Sequence, residues 1–128
     1  TRLEKCIEAS KFLNQNNIYP TIADARFAKP LDTQLIDDLL SNHKYILTIE
    51  EGSIGGFSSH VLHYVHNIRS KKDNVVIKNL IFPDRFVEHM TPDEQYQDIK
   101  MDTESIIRKI NNFYENKIVD IKNFKSKV

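Results

Sequence analysis

Small and apolar residues recur at three- and four-residue intervals through Leu3, Cys6, Ile7, Ser10 and Leu13, with Lys and Glu between them. This spacing predicts an amphipathic helix over residues 2–15. Asn14 to Asn17 ends it. From Ile18 to Phe27 the chain turns apolar and β-prone, with Pro20 at its start, where a missing N–H is tolerated. A strand is expected through Thr21–Arg26. Lys29-Pro30 stops it, and Asp32 can cap a second helix by accepting a backbone N–H, with Leu31 and Ile36 placed as a hydrophobic staple. That helix runs to about Ser41.

Tyr45 to Ile49 is short and continuously apolar, the pattern of a buried, parallel strand. A Gly-rich segment follows, and a further helix is expected from Phe57 to about Arg69, with Phe57, Val61, Tyr64, Val65 and Ile68 on one face. Residues 70–74 read as a polar turn, and Val75–Phe82 as another buried strand ended by Pro83. Thr91-Pro92-Asp93-Glu94 combines a capping hydroxyl, a helix-start proline and a carboxylate at the third position, so a short helix begins there. Asp102 can cap the last helix, with Ile106, Ile107, Ile110 and Tyr114 inward. Periodicity then weakens. Residues 1–117 are read as one domain and 118–128 as a tail open to partial disorder.

Strands separated by single helices imply crossover connections and a mostly parallel sheet with helices on its faces. The fold class is therefore α/β, a three-layer α/β/α arrangement, although the chain opens on a helix where such a domain would normally open on a strand.

With 128 residues the chain has the size of one domain. Its longest apolar runs are a few residues, far short of the roughly 20 that cross a bilayer, so a soluble domain with no membrane partner is expected. Eighteen Lys plus Arg balance 18 Asp plus Glu, and no basic cluster marks a nucleic-acid surface. The single cysteine excludes an internal disulfide framework. Thr1 is not an initiator Met, which points to a piece of a longer product.

Four groups of residues could carry chemistry. Gly52, Gly55 and Gly56 join a strand to a helix N-terminus, where free N–H groups favour an anion, but neither a Walker nor a GxGxxG pattern is present. A tight turn allowing close packing is the favoured reading. His60, His63 and His66 suggest a metal helix, yet three-residue steps of about 300° spread them over about 120° of surface, so they cannot converge on one ion. No metal site is assigned. Asp24 and Arg26 would share one face of the expected strand and could pair with each other or with a neighbouring domain. Asp84-Arg85-Phe86-Val87-Glu88-His89 gathers acids, a base and a histidine just past a strand end, where α/β sites form. It has no nucleophile near it, so structural anchoring or a domain interface is favoured.

Three blocks resemble, in order and spacing, the C-terminal domain of the 1-deoxy-D-xylulose-5-phosphate synthase family: Ala23 to Asp32, Thr48 to Phe57 and Phe82 to His89. The first two are shared more loosely with C-terminal domains of transketolase and of pyruvate dehydrogenase β subunits. The Pro-Asp-Arg-Phe-Val-Glu-His block is the one specific to the synthase. The resemblance covers residues 2 to about 115 and departs at Leu80-Ile81-Phe82 and in the Lys/Asn-rich tail.

The resemblance implies a transketolase C-terminal-like fold lacking its first strand. It also implies a homodimeric thiamine-diphosphate and Mg²⁺ enzyme that joins pyruvate to glyceraldehyde 3-phosphate with release of CO2, supplying isoprenoid precursors. The cofactor and metal belong to other domains, so no catalytic, cofactor or metal residue carries over to this chain. Its implied role is bracing the dimer and the remaining domains, with Asp24, Arg26, Glu50, Glu51, Asp84 and Arg85 as candidate contacts. The alternatives are the partner-binding C-terminal domain of a pyruvate dehydrogenase β subunit and a stand-alone anion-binding module using Gly52–Gly56. The compartment is the cytoplasm for a bacterial source and a plastid for a plastid-bearing eukaryote.

Overall fold

The computed structural model describes residues 2–68 and 74–113. The elements are α1 (Leu3–Asn14), α2 (Thr33–Asn42), β1 (Tyr45–Ile49), α3 (Phe57–His63) continued by a π-helical segment (Tyr64–Ile68), β2 (Val76–Leu80), α4 (Pro92–Asp98) and α5 (Thr103–Asn111). The chain divides into two compact units, residues 24–84 and residues 1–23 with 85–128. No helix of the described residues is long and apolar enough to cross a membrane.

In the unit of residues 24–84, Asp32 caps α2 as its sequence demands, its carboxylate accepting the Leu35 N–H at 3.0 Å. Leu31, the other half of the expected staple, packs against the core cluster that contains Ile36. β1 and β2 run parallel in the register Ile46↔Ile77 and Ile49↔Leu80. The ladder extends past both ends through Val76 N–H to Lys44 O at 2.9 Å and Glu50 N–H to Leu80 O at 3.1 Å. Ile46 and Ile77, side by side on one face, pack with Ile36 and Leu40 of α2 and Val61 of α3. Both helices thus cover the same face of the strand pair. On that face too, the buried Thr48 hydroxyl donates to the Ser58 hydroxyl at 2.9 Å and ties β1 to α3.

The expected strand at Thr21–Arg26 does not form. The sheet of the described residues has two strands, and residues 21–24 and 26–30 lie exposed. A strand exists only as one side of a ladder, so β-prone residues with no strand paired to them gain nothing from the extended state. The expected face of α3 is also cut short. Phe57, Val61, Tyr64 and Val65 belong to the core cluster, but Ile68 is 61% exposed. The wider π turn advances each residue through a smaller angle and carries Ile68 off the stripe. Arg69 and most of the polar turn lie outside the described residues.

In the second unit α1 packs on α5. Leu13, Met101, Ile106 and Ile107 are almost wholly buried, with Ala9, Phe12, Ile18, Ile99 and Phe113 close behind. The inward face of α1 is therefore carried by Ala9, Phe12 and Leu13, whereas Ile7, expected inward, is 42% exposed. The capping box at α4 is complete, with Thr91 and Glu94 bonded reciprocally and Pro92 opening the helix. Asp102 occupies the cap position of α5, but its side chain caps no N–H. Tyr114 and the tail fall outside the described residues.

Candidate functional site

The Gly-rich turn after β1 is organised by Glu50. Its Oε2 accepts the Phe57 N–H at 2.7 Å and its Oε1 accepts the Ser58 N–H at 2.8 Å, so the carboxylate sits on the first two amides of α3. Helix N-termini attract negative charge through just these unpaired donors and the aligned peptide dipoles. The glycines make room for it. A Cβ on Gly56 would collide with Glu50 Oε2, and one on Gly52 would approach that oxygen to 3.2 Å. Gly55 serves a different purpose, adopting φ +105, a left-handed conformation that side chains resist.

The Gly55 and Gly56 amides are also committed. Gly55 donates to Ser59 Oγ at 3.0 Å, and Gly56 donates to the Ser53 carbonyl at 3.3 Å. Phe82 N–H reaches the Gly52 carbonyl at 2.8 Å and holds the turn beside the end of β2. The anion that this turn is shaped to take is the chain's own carboxylate. An external phosphate at Gly52, Gly55 and Gly56 would have to displace it.

The acidic loop after β2 is likewise held by structural contacts. Arg85 donates to the Asp98 carboxylate at 2.5 Å and to the Asp98 carbonyl at 3.4 Å, and Gln95 Nε2 donates to the Glu88 carbonyl at 3.1 Å. With side chains 46% and 35% exposed, such a pair contributes only about 0–1 kcal/mol, enough to orient the loop on α4 but not to hold the fold. Asp24 and Arg26 do not face each other across a pleat. The Asp24 carboxylate accepts the Arg26 backbone N–H at 3.1 Å, and Arg26 takes φ 55. Both side chains are exposed, as are Glu51 and Asp84. Glu50 is thus half-buried and turned onto the helix, whereas Asp24, Arg26, Glu51, Asp84 and Arg85 are exposed.

His60 is half-buried, and His63 and His66 are exposed. Among the described residues no three His, Cys, Asp or Glu side chains come together closely enough to hold a metal ion. Two other ionisable groups are perturbed. The Thr103 hydroxyl donates to Glu8 Oε2 at 2.7 Å, and this bond, aided by Lys5, holds the Glu8 carboxyl below its ordinary range. Burial pushes the Cys6 thiol up, which suppresses the reactive thiolate.

Sequence reasoning placed Glu50 among outward contacts and missed its inward role. The signal was available in the spacing: an acid immediately after the strand, glycines at 52, 55 and 56, and a helix starting at Phe57. A carboxylate seven residues from a helix start can fold back onto it only if the turn between them carries no side chain at the point of approach.

The model of the transketolase C-terminal domain family matches residues 1–106. The probable 1-deoxy-D-xylulose-5-phosphate synthase 2, chloroplastic, of Oryza sativa subsp. japonica is 42% identical over 98 residues, which are 77% of this chain and 14% of that protein. The chain therefore spans a small part of the length of this relative. With the family match extending over most of its residues, the chain belongs to the transketolase C-terminal domain family.

Proposed function

We propose that the chain is the non-catalytic C-terminal domain of a thiamine-diphosphate-dependent 1-deoxy-D-xylulose-5-phosphate synthase, bracing the remaining domains of a homodimeric enzyme. The observation that carries this reading is the 42% identity to the rice synthase over 98 residues. The parent reaction would join pyruvate and glyceraldehyde 3-phosphate into 1-deoxy-D-xylulose 5-phosphate and CO2 for isoprenoid precursors. Its compartment would be a plastid in a plastid-bearing eukaryote and the cytoplasm in a bacterium.

The residues present do not fit the parent's cofactor. The Gly-rich turn at the start of α3 already holds Glu50, whose negative charge would repel a diphosphate, and the amides of Gly55, Gly56, Phe57 and Ser58 are all engaged. Thiamine diphosphate and Mg²⁺ belong in this reading to the other domains. Asp24, Arg26, Glu51 and Asp84 are the proposed interdomain or dimer contacts, being exposed and charged. The same engaged turn argues against a stand-alone anion-binding module.

The test is to express the full-length gene product and supply pyruvate, glyceraldehyde 3-phosphate, thiamine diphosphate and Mg²⁺. Formation of 1-deoxy-D-xylulose 5-phosphate is expected, with no saturable micromolar cofactor binding by residues 1–128 alone. A product that instead delivers an acetyl group to a lipoyl carrier would identify a pyruvate dehydrogenase β subunit.

A further inference from the structure

Phe86 is 100% exposed, a large aromatic side chain that nothing among the described residues covers. The loop that bears it is held on both sides. Immediately before it, Arg85 is bonded to the Asp98 carboxylate and carbonyl, and its second guanidinium nitrogen donates to the Phe86 carbonyl at 3.4 Å. Two residues after it, the Glu88 carbonyl accepts from Gln95. The loop then runs directly into the Thr91–Glu94 capping box. Phe86 is therefore the tip of a loop pinned to α4 rather than a side chain on a loose excursion. An aromatic that contributes nothing to its own fold, displayed on a pinned loop, has the character of an interface anchor, because little order remains to be lost when it docks.

The surroundings give the partner's chemistry. The stretch from Asp84 to Asp98 carries five carboxylates (Asp84, Glu88, Asp93, Glu94 and Asp98) against the single guanidinium of Arg85, which is already paired with Asp98, within a chain of net charge +0. A surface that accepts Phe86 must thus offer an apolar pocket and bring Lys or Arg to its rim, since like charges facing each other across an interface are strongly unfavourable. The geometry points to Phe86 as the anchor by which this domain docks into a basic-rimmed apolar pocket on the other domains of its parent polypeptide. This rests on the reading of the chain as one domain of a longer enzyme.

The test replaces Phe86 with the photoreactive p-benzoylphenylalanine in the full-length protein, followed by irradiation and peptide mapping. Crosslinks into sequence outside residues 1–128, beside Lys or Arg, are expected. In parallel, Phe86→Ser should accelerate limited proteolysis at the junction before Thr1 by about tenfold or more, whereas Phe86→Tyr should stay within about twofold of the parent. Crosslinks found only within residues 1–128 of a second copy would overturn the proposal, as would no crosslink or an unchanged proteolysis rate. Immunoblotting of the source with an antibody to this domain separates the two failures. A product no longer than 128 residues overturns the parent reading and the docking with it; a longer product without crosslinks overturns the docking alone.

Discussion

Removing the Glu50 carboxylate tests whether the Gly-rich turn is an internal cap. Glu50→Ala leaves the Phe57 and Ser58 N–H groups without their acceptors and deletes a negative charge at a helix N-terminus. Charge-assisted hydrogen bonds contribute about 1.5–3 kcal/mol each, but here both ends are only partly buried, so water recovers part of the loss. Taking the low end for each bond, with the helix-dipole term inside the error, gives a cost of about 2–3 kcal/mol, or about 10 °C in Tm for a domain of this size. Gly56→Ala should cost nearly as much by a different route. Its backbone, at φ −81 and ψ −152, tolerates a side chain, but the added Cβ occupies the space of Glu50 Oε2 and drives the carboxylate off the amides. The double variant is the decisive one. Once the carboxylate is gone the three atoms nearest the Cβ go with it, so Glu50→Ala/Gly56→Ala should be no less stable than Glu50→Ala alone, with a coupling energy of about 2 kcal/mol. Urea denaturation of the four proteins, followed by circular dichroism at 222 nm with the m-value checked for constancy, measures this. Additive costs of about 4–5 kcal/mol in the double variant would refute the argument, because they would mean that Gly56 and Glu50 act on different things.

Three further outcomes follow from the second unit. Leu13→Ala, at a site with no exposure, should cost about 2–5 kcal/mol, whereas Ile7→Ala on the same helix should stay within about 0.5 kcal/mol; equal losses in chemical denaturation would show that α1 is rotated from the position described. Because the folded Glu8 carboxyl titrates below its unfolded range, its stabilisation is full above the ordinary carboxylate pKa and is lost as pH falls through the folded one. Thr103→Val removes the chief cause of that shift, so the urea midpoint of the unmodified chain should fall more steeply than the variant's between about pH 5 and pH 3, and parallel curves would exclude the bond. Cys6, its thiol pushed up by burial, should react with iodoacetamide at pH 8 at least about tenfold more slowly than free cysteine; a matching rate would show that α1 opens freely around it.

What the sequence determined by itself lies within one turn of its cause. Asp32 reaches the Leu35 amide three residues away, and Thr91 and Glu94 bond each other across the same interval, so both helix starts follow from local chemistry that any surroundings would leave intact. The strands were equally legible, Tyr45–Ile49 from its apolar run and Val76–Leu80 from the β-branched start at Val75, Val76 and Ile77, although both are half-buried strands with helices on one face. The family resemblance was legible for a related reason, as its blocks sit at these strand ends and turns. Tertiary structure decided the rest. Thr21–Arg26 has the composition of a strand but, among the described residues, no strand paired beside it, and a ladder cannot be specified by one of its sides. The inward face of α1 was set by packing on α5, which buried Ala9 and Phe12, outside the stripe read from periodicity, beside Leu13 and left Ile7 of that stripe exposed. Glu50 became a helix cap instead of a surface charge because the chain doubles back over seven residues and the bare Gly56 lets the carboxylate through, a steric condition that exists only once the turn has closed.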